Sequence, residues 1–171
     1  MQRTARRGFT LIELVVILSI LAILSGVLVP RVGNHLRSSR DARRLADIQT
    51  IREAVEQYHL DRGVFPPANT NSAFGGWDVS NDGDFIQVLC DYGYLEEKPE
   101  DPINDATYQY RYYVYPPGSY GCRGRGSYYV LGIRAFESEA FAAKNKGSFA
   151  CDERDWSREF AFVTGGASAR R

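Results

Sequence analysis

Histidine is nearly absent from this chain of 171 residues, and the two that occur, His35 and His59, fall in one helix-patterned stretch. A helix over that interval holds them roughly 36 Å apart, and neither has a Cys or Ser arranged around it, so a catalytic dyad is excluded. No phosphate loop, paired zinc-ligand motif or nucleophile elbow occurs. Nothing positive argues for an enzyme. Net charge is also lacking, since 21 Lys and Arg balance 21 Asp and Glu. A binder that relies on a bulk positive field is therefore not expected, and nucleic acid is set aside as a partner. The length excludes a large multidomain enzyme and fits one domain with an appendage.

The zero balance hides an asymmetry. Arg3, Arg6 and Arg7 occupy the first eight residues without an acid, and the run FTLIELVVILSILAILSGVLV follows from Phe9 to Val29 with Glu13 as its only charge. At about 1.5 Å per residue such a helix spans the roughly 30 Å hydrocarbon core of a bilayer. A cleaved secretory signal would have a shorter apolar region and an Ala-x-Ala site; here Pro30 and Arg31 close the run instead. A carboxylate inside an apolar helix costs a few kcal/mol, so Glu13 needs a partner, unless it snorkels to the headgroups from within one turn of the end of the span.

The string Arg6-Arg7-Gly8-Phe9-Thr10-Leu11-Ile12-Glu13-Leu14 resembles the class III signal of type IV prepilins and of the pseudopilins of type II secretion. That resemblance implies cleavage between Gly8 and Phe9 by a membrane prepilin peptidase and N-methylation of the new Phe9 terminus. It further implies that the Glu13 carboxylate meets the α-amino group of Phe9 on a neighbouring subunit. Arg31, Arg37, Arg40, Arg43 and Arg44 flank the far side of the run, so loop charge alone does not orient it. The resemblance places the N-terminus inside and the C-terminal part outside the inner membrane, then in a periplasmic or extracellular filament. The implied partners are copies of the chain, minor pilins or pseudopilins, membrane lipid, the peptidase, and an assembly platform driven by a separate ATPase. The rival from another class is a binding domain outside the cytoplasm that uses Phe9 to Val29 as a plain single-pass anchor.

Beyond Pro30, where a helix kink is expected, the pattern turns amphipathic. Val32, Leu36, Leu45, Ile48, Ile51, Val55 and Tyr58 recur at spacings dominated by three and four. The helix should stop at Asp61-Arg62-Gly63, before Pro66-Pro67. The stretch from Asp41 to Pro66 also resembles the helix end of pilins and major pseudopilins. Four segments follow: a leader at 1–8, a membrane or filament-core helix at 9–29, an amphipathic helix at 30–62, and a head at 63–171. The fold class is α+β, pilin-like, with the long helix packed on a small antiparallel sheet.

In the head, Pro66 to Gly83 reads as a turn-rich loop and Asp84 as the N-cap of a helix from Phe85 to Tyr92. Asp78, Asp82 and Asp84 invite a calcium loop, but the acid required six residues past Gly83 is Leu89. Thr107–Tyr115 and Ser127–Phe136 read as a hairpin, and Glu159–Thr164 as a third strand. The segment from Tyr94 to Tyr110 resembles the region before the sheet in pseudopilins and pilins. The tyrosine-rich strands read as cross-strand packing ahead of a surface that stacks bases or sugars. Cys90, Cys122 and Cys151 allow three single pairings or three reduced thiols. Many type IV pilins carry a C-terminal disulfide-bounded loop, and that likeness favours Cys122 with Cys151 and leaves Cys90 a buried free thiol. No cofactor is expected. Calcium, known in the C-terminal loop of major pseudopilins, stays open on Glu137, Glu139, Asp152, Glu153 and Asp155. These do not fall into a family pattern, so a solvated acidic surface is the preferred reading.

Overall fold

The computed structural model describes residues 9–122 and 126–168, without the side chains of 27–31. Gly8 and the leader lie outside the described residues; at Pro30, where a kink is expected, only the backbone is described, and it is helical. Helix α1 covers Leu11–Arg62. The chain divides into two compact units, Met1–Arg37 and Ser38–Arg171, so the division falls within α1.

The first unit is helix without a core of its own. Its described apolar side chains are exposed on every side of the helix, from Leu11 at 81% to Ile17 at 43%. An all-round apolar helix requires an apolar surround that its own unit does not supply.

In the second unit, the remainder of α1 buries a stripe of Ile48, Ile51, Ala54, Val55 and Tyr58. These positions lie three and four apart, so they share one face. Fully burying a side chain the size of Ile51 contributes about 1.5–3 kcal/mol. The helix ends where the sequence indicates: Gly63 takes φ 74° and its N–H donates to His59 O at 2.8 Å. Only a residue without Cβ adopts that left-handed turn at little cost.

The stripe packs on a four-stranded antiparallel sheet in the order β1-β2-β3-β4, formed by Asp78–Val79, Tyr110–Tyr115, Tyr128–Ile133 and Phe162–Ala167. Strand β3 is buried along its whole length because both faces are covered. Tyr129, Leu131 and Ile133 join Tyr110, Tyr112, Phe85 and Leu89 against α1. Tyr128 and Val130 face the other way, onto Trp77, Tyr115, Trp156, Phe160 and Val163. Gly132 shares this second face, and a Cβ there would sit 2.6 Å from the Phe160 ring. Two short helices complete the unit, α2 at Gln87–Asp91 and α3 at Glu139–Lys144.

Two local expectations are corrected. Asp84 does not cap α2, which starts later than expected, with Ile86 at the cap position and φ 42°. Burial explains the change: Phe85 and Ile86 are each 1% exposed, drawn into the helix-side core. The Ile86 N–H is satisfied from outside by Asp78 Oδ2 at 3.2 Å. The stretch read as loop up to Gly83 contains β1, because Asp78 and Val79 pair with Tyr112 and Arg111. The third strand is present but starts at Phe162, since Trp156–Arg158 forms a 3-10 turn capped by Asp155.

Candidate functional site: the N-terminal helix and its anchorage

Phe9 is 79% exposed ahead of the first helical turn. Thr10 and Glu13 form a reciprocal cap there. The Thr10 N–H and hydroxyl each donate to Glu13 Oε2 at 2.9 Å, and the Glu13 N–H donates back to Thr10 Oγ1 at 3.2 Å. This capping box satisfies amide donors that a helix start leaves open. Its signature, Thr-x-x-Glu before an apolar run, stands in the sequence at Thr10-Leu11-Ile12-Glu13. The box supplies Glu13 with a partner inside its own chain. One oxygen, Oε2, carries both bonds, and among the described residues no hydrogen bond falls on Oε1.

Among the described residues no helix is both long and apolar enough to cross a membrane. Side chains 27–29 of the expected Phe9 to Val29 span belong to the part outside the description.

Farther along α1, a fully buried guanidinium fixes the helix to the head. Arg44 donates Nε and Nη2 to Asp101 at 2.6 and 2.9 Å, and Nη1 to Asp41 at 2.6 Å and Glu137 at 2.9 Å. Arg40 adds a bidentate pair to Glu137 at 2.7 and 2.5 Å. Asp41 also accepts the N–H groups of Glu137 and Ser138, at 3.0 and 2.9 Å, which ties the strand β3 exit to the helix. Burial opposes the charge on Arg44, but bonds to Asp101 and Glu137 more than offset it and hold its pKa above the ordinary value. The Arg40 bond pulls Glu137 down to about 2, against burial and with help from Arg44. A buried charge is tolerated only when its hydrogen-bonding capacity is met in this way.

At the C-terminal end, Cys122 and Cys151 form a disulfide with Cα atoms 4.9 Å apart, closing a sequence separation of 29. Cys90 is a free, half-buried thiol whose pKa burial pushes up. Two of the five acids considered for calcium have other partners. Glu137 holds Arg40 and Arg44, and Asp155 accepts the Ser157 N–H and hydroxyl at 3.0 and 2.6 Å. Among the described residues no group of three His, Cys, Asp or Glu side chains is placed to share a metal ion.

Residues 3–29 match the family model described as the prokaryotic N-terminal methylation motif. The type II secretion system core protein G of Pseudomonas aeruginosa is 30% identical over 64% of this chain and 76% of its own length. The chain belongs to the type IV pilin and type II secretion pseudopilin family. The core protein G of Aeromonas hydrophila is 26% identical over 71% of the chain and 80% of its own length. The type IV major fimbrial protein FimA of Dichelobacter nodosus is 33% identical over 48% and 51%. No solved structure matches. Family membership makes the chain a structural filament subunit, and the long helix on a four-stranded antiparallel sheet is the pilin architecture.

Proposed function

We propose that this pilin-family subunit is cut between Gly8 and Phe9, N-methylated at Phe9, and held in the inner membrane by Phe9 to Val29 with the head outside. From there it joins, through the apolar part of α1, a filament built of its own copies and minor subunits on a platform powered by a separate ATPase. The observation that carries this reading is the exposure of Leu11, Ile12, Leu14, Ile23 and their neighbours on all sides of a helix whose other end is firmly anchored. Lipid before assembly and neighbouring helices after it are the two apolar surrounds open to such a segment. Glu13 is the register element. Its Oε1 can accept the Phe9 amine of the next subunit while Oε2 keeps the cap. The role is structural rather than catalytic.

The filament is a secretion pseudopilus in this reading, because the core protein G relatives are matched over about two thirds to four fifths of their length, which reaches beyond the helix into the head. The chain spans about half of the fimbrial protein FimA. A pilus subunit is the second reading, favoured by the disulfide-closed C-terminal loop.

Mass spectrometry of the mature N-terminus tests processing: N-methylated Phe9 is expected, and an intact Met1 would overturn the filament reading. Imaging then separates the two filament types, since a long extracellular fibre at native expression overturns the secretion assignment.

A further inference from the structure

On the sheet face away from α1 lies an open cleft of about 520 Å³ whose walls include Trp77, Tyr113, Tyr115, Tyr120 and Arg154. Its rings form one connected array. Trp77 lies 6.0 Å from Tyr113 and 6.3 Å from Tyr115, and Tyr115 lies 4.6 Å from Tyr113 and 5.5 Å from Tyr120. Tyr120 is 39% exposed and holds φ 50°, a backbone state uncommon for a bulky residue. It stands in the cleft wall, packed edgewise with Tyr115 and Trp156 at 5.5 and 5.6 Å and still partly open to solvent.

Tyr94, Tyr110, Tyr112, Tyr128 and Tyr129 donate to Asp61, Asp47, Pro66 O, Ser119 O and Glu56. The hydroxyls of Tyr113 and Tyr120, both in the cleft wall, make no hydrogen bond among the described residues. Among the described lining residues the one charged side chain is neutralised: Arg154 gives Nε and Nη2 to Glu159 at 2.8 Å each and lies over the Tyr120 ring at 4.8 Å.

Flat rings, unengaged hydroxyls and, among the described lining residues, no unpaired charge define a narrow ligand class. The axial C–H groups of a pyranose present a positive face to the negative face of an aromatic ring, and its equatorial hydroxyls need both donors and acceptors. An anionic polymer would need free cations along its track, and Arg154 is already paired. We propose that this cleft binds a neutral oligosaccharide, with Tyr120 as stacking platform and the Tyr113 and Tyr120 hydroxyls reading sugar hydroxyls. The inference does not depend on the filament reading, because it is tested on the unassembled chain.

The probes are maltohexaose, cellohexaose and chitohexaose, with hexagalacturonate and oligo(dT) as charged comparators. Each is titrated into the full chain in a detergent without a sugar headgroup. Trp77 lines the cleft and is one of only two tryptophans, so indole fluorescence reports binding. A saturable change with at least one neutral probe is expected. Tyr120→Ala should weaken it tenfold or more, Tyr113→Phe and Tyr120→Phe about three- to tenfold, and exposed Tyr92→Ala not at all. The Phe variants keep the ring packing, so a folding defect does not mimic their effect. No binding of any neutral probe up to about 10 mM, tighter binding of a charged comparator, or indifference to the Tyr113 and Tyr120 variants each overturns the proposal.

Discussion

Arg44 and Asp101, 57 residues apart, meet in a bidentate pair at 2.6 and 2.9 Å with both side chains fully buried. A planar fork on a carboxylate fixes orientation as well as distance, so this contact locks α1 against the loop before β2. The Tyr108 ring completes the enclosure, 4.9 Å from the guanidinium carbon.

Arg44→Met should therefore be among the most destabilising single changes in the head. It leaves the buried carboxylates Asp41 and Asp101, and nearly buried Glu137, without their shared cation, a loss of about 3–5 kcal/mol. Adding Asp101→Leu should recover part of that loss, because it removes one stranded charge. Urea unfolding of the wild type, the single and the double variant measures both effects. Equal stability of wild type and Arg44→Met would remove the anchor from the account.

The stability of the head should peak in mildly acid solution, because two carboxyls pull in opposite directions. Glu137, held at about 2, contributes stability that is complete above the ordinary carboxylate range and is lost as pH falls through that range toward 2. Asp78 is raised to about 7 by burial, against bonds from the Asn69 and Ile86 N–H groups and with repulsion from Asp82 and Asp84. Its unfolded form loses the proton near 3.8 and its folded form only near 7, so stability falls as pH rises across that window. Thermal melts should show a higher Tm at about pH 4.5 than at about pH 7.5, and Asp78→Asn should flatten that decline. A decline that persists in Asp78→Asn assigns it elsewhere.

Reduction of Cys122–Cys151 should lower stability by about 3–4 kcal/mol, the entropy of closing a loop of this length. The closed loop carries the buried strand β3 and Phe149, and the bond fixes its end close to Trp156, which follows Cys151 in the chain. Melting with and without a phosphine reductant, beside Cys122→Ser/Cys151→Ser, measures it. Cys90→Ser should melt like the wild type, since that thiol is free.

Periodicity made the long helix and its end at Gly63 legible, as did the three longer strands, because each rests on a local pattern of side chains. Strand β1 was not legible. Two residues among Gly, Asn and Asp carry no alternation to read, and Asp78 joins the sheet through its pairing with Tyr112. The Arg44 knot was hidden for a similar reason. Arg44 sits in an Arg-rich, solvent-like stretch of sequence, and its burial is created by Asp101 and Glu137 from 57 and 93 residues away. The Phe9 and Glu13 end was legible as a motif, yet the motif drew attention to a partner on another subunit and away from Thr10 three residues before.

That local bond separates two roles of Glu13. Thr10→Val removes the hydroxyl that bonds Glu13 but keeps the carboxylate, so it should loosen the first helical turn by about 0.5–2 kcal/mol and leave filament yield near normal. Glu13→Ala removes the cap and the proposed acceptor for the Phe9 amine together, so processing should continue while filaments fail. Glu13→Gln keeps an oxygen for the cap but not the charge. If neutralising the Phe9 amine in an apolar surround is what the carboxylate does, Glu13→Gln should assemble as poorly as Glu13→Ala. Counting sheared filaments against the cell-bound mature subunit for the three variants decides the matter. Normal yield from Glu13→Gln would reduce Glu13 to a helix cap, and failure of Thr10→Val would show that assembly needs the ordered first turn rather than the charge.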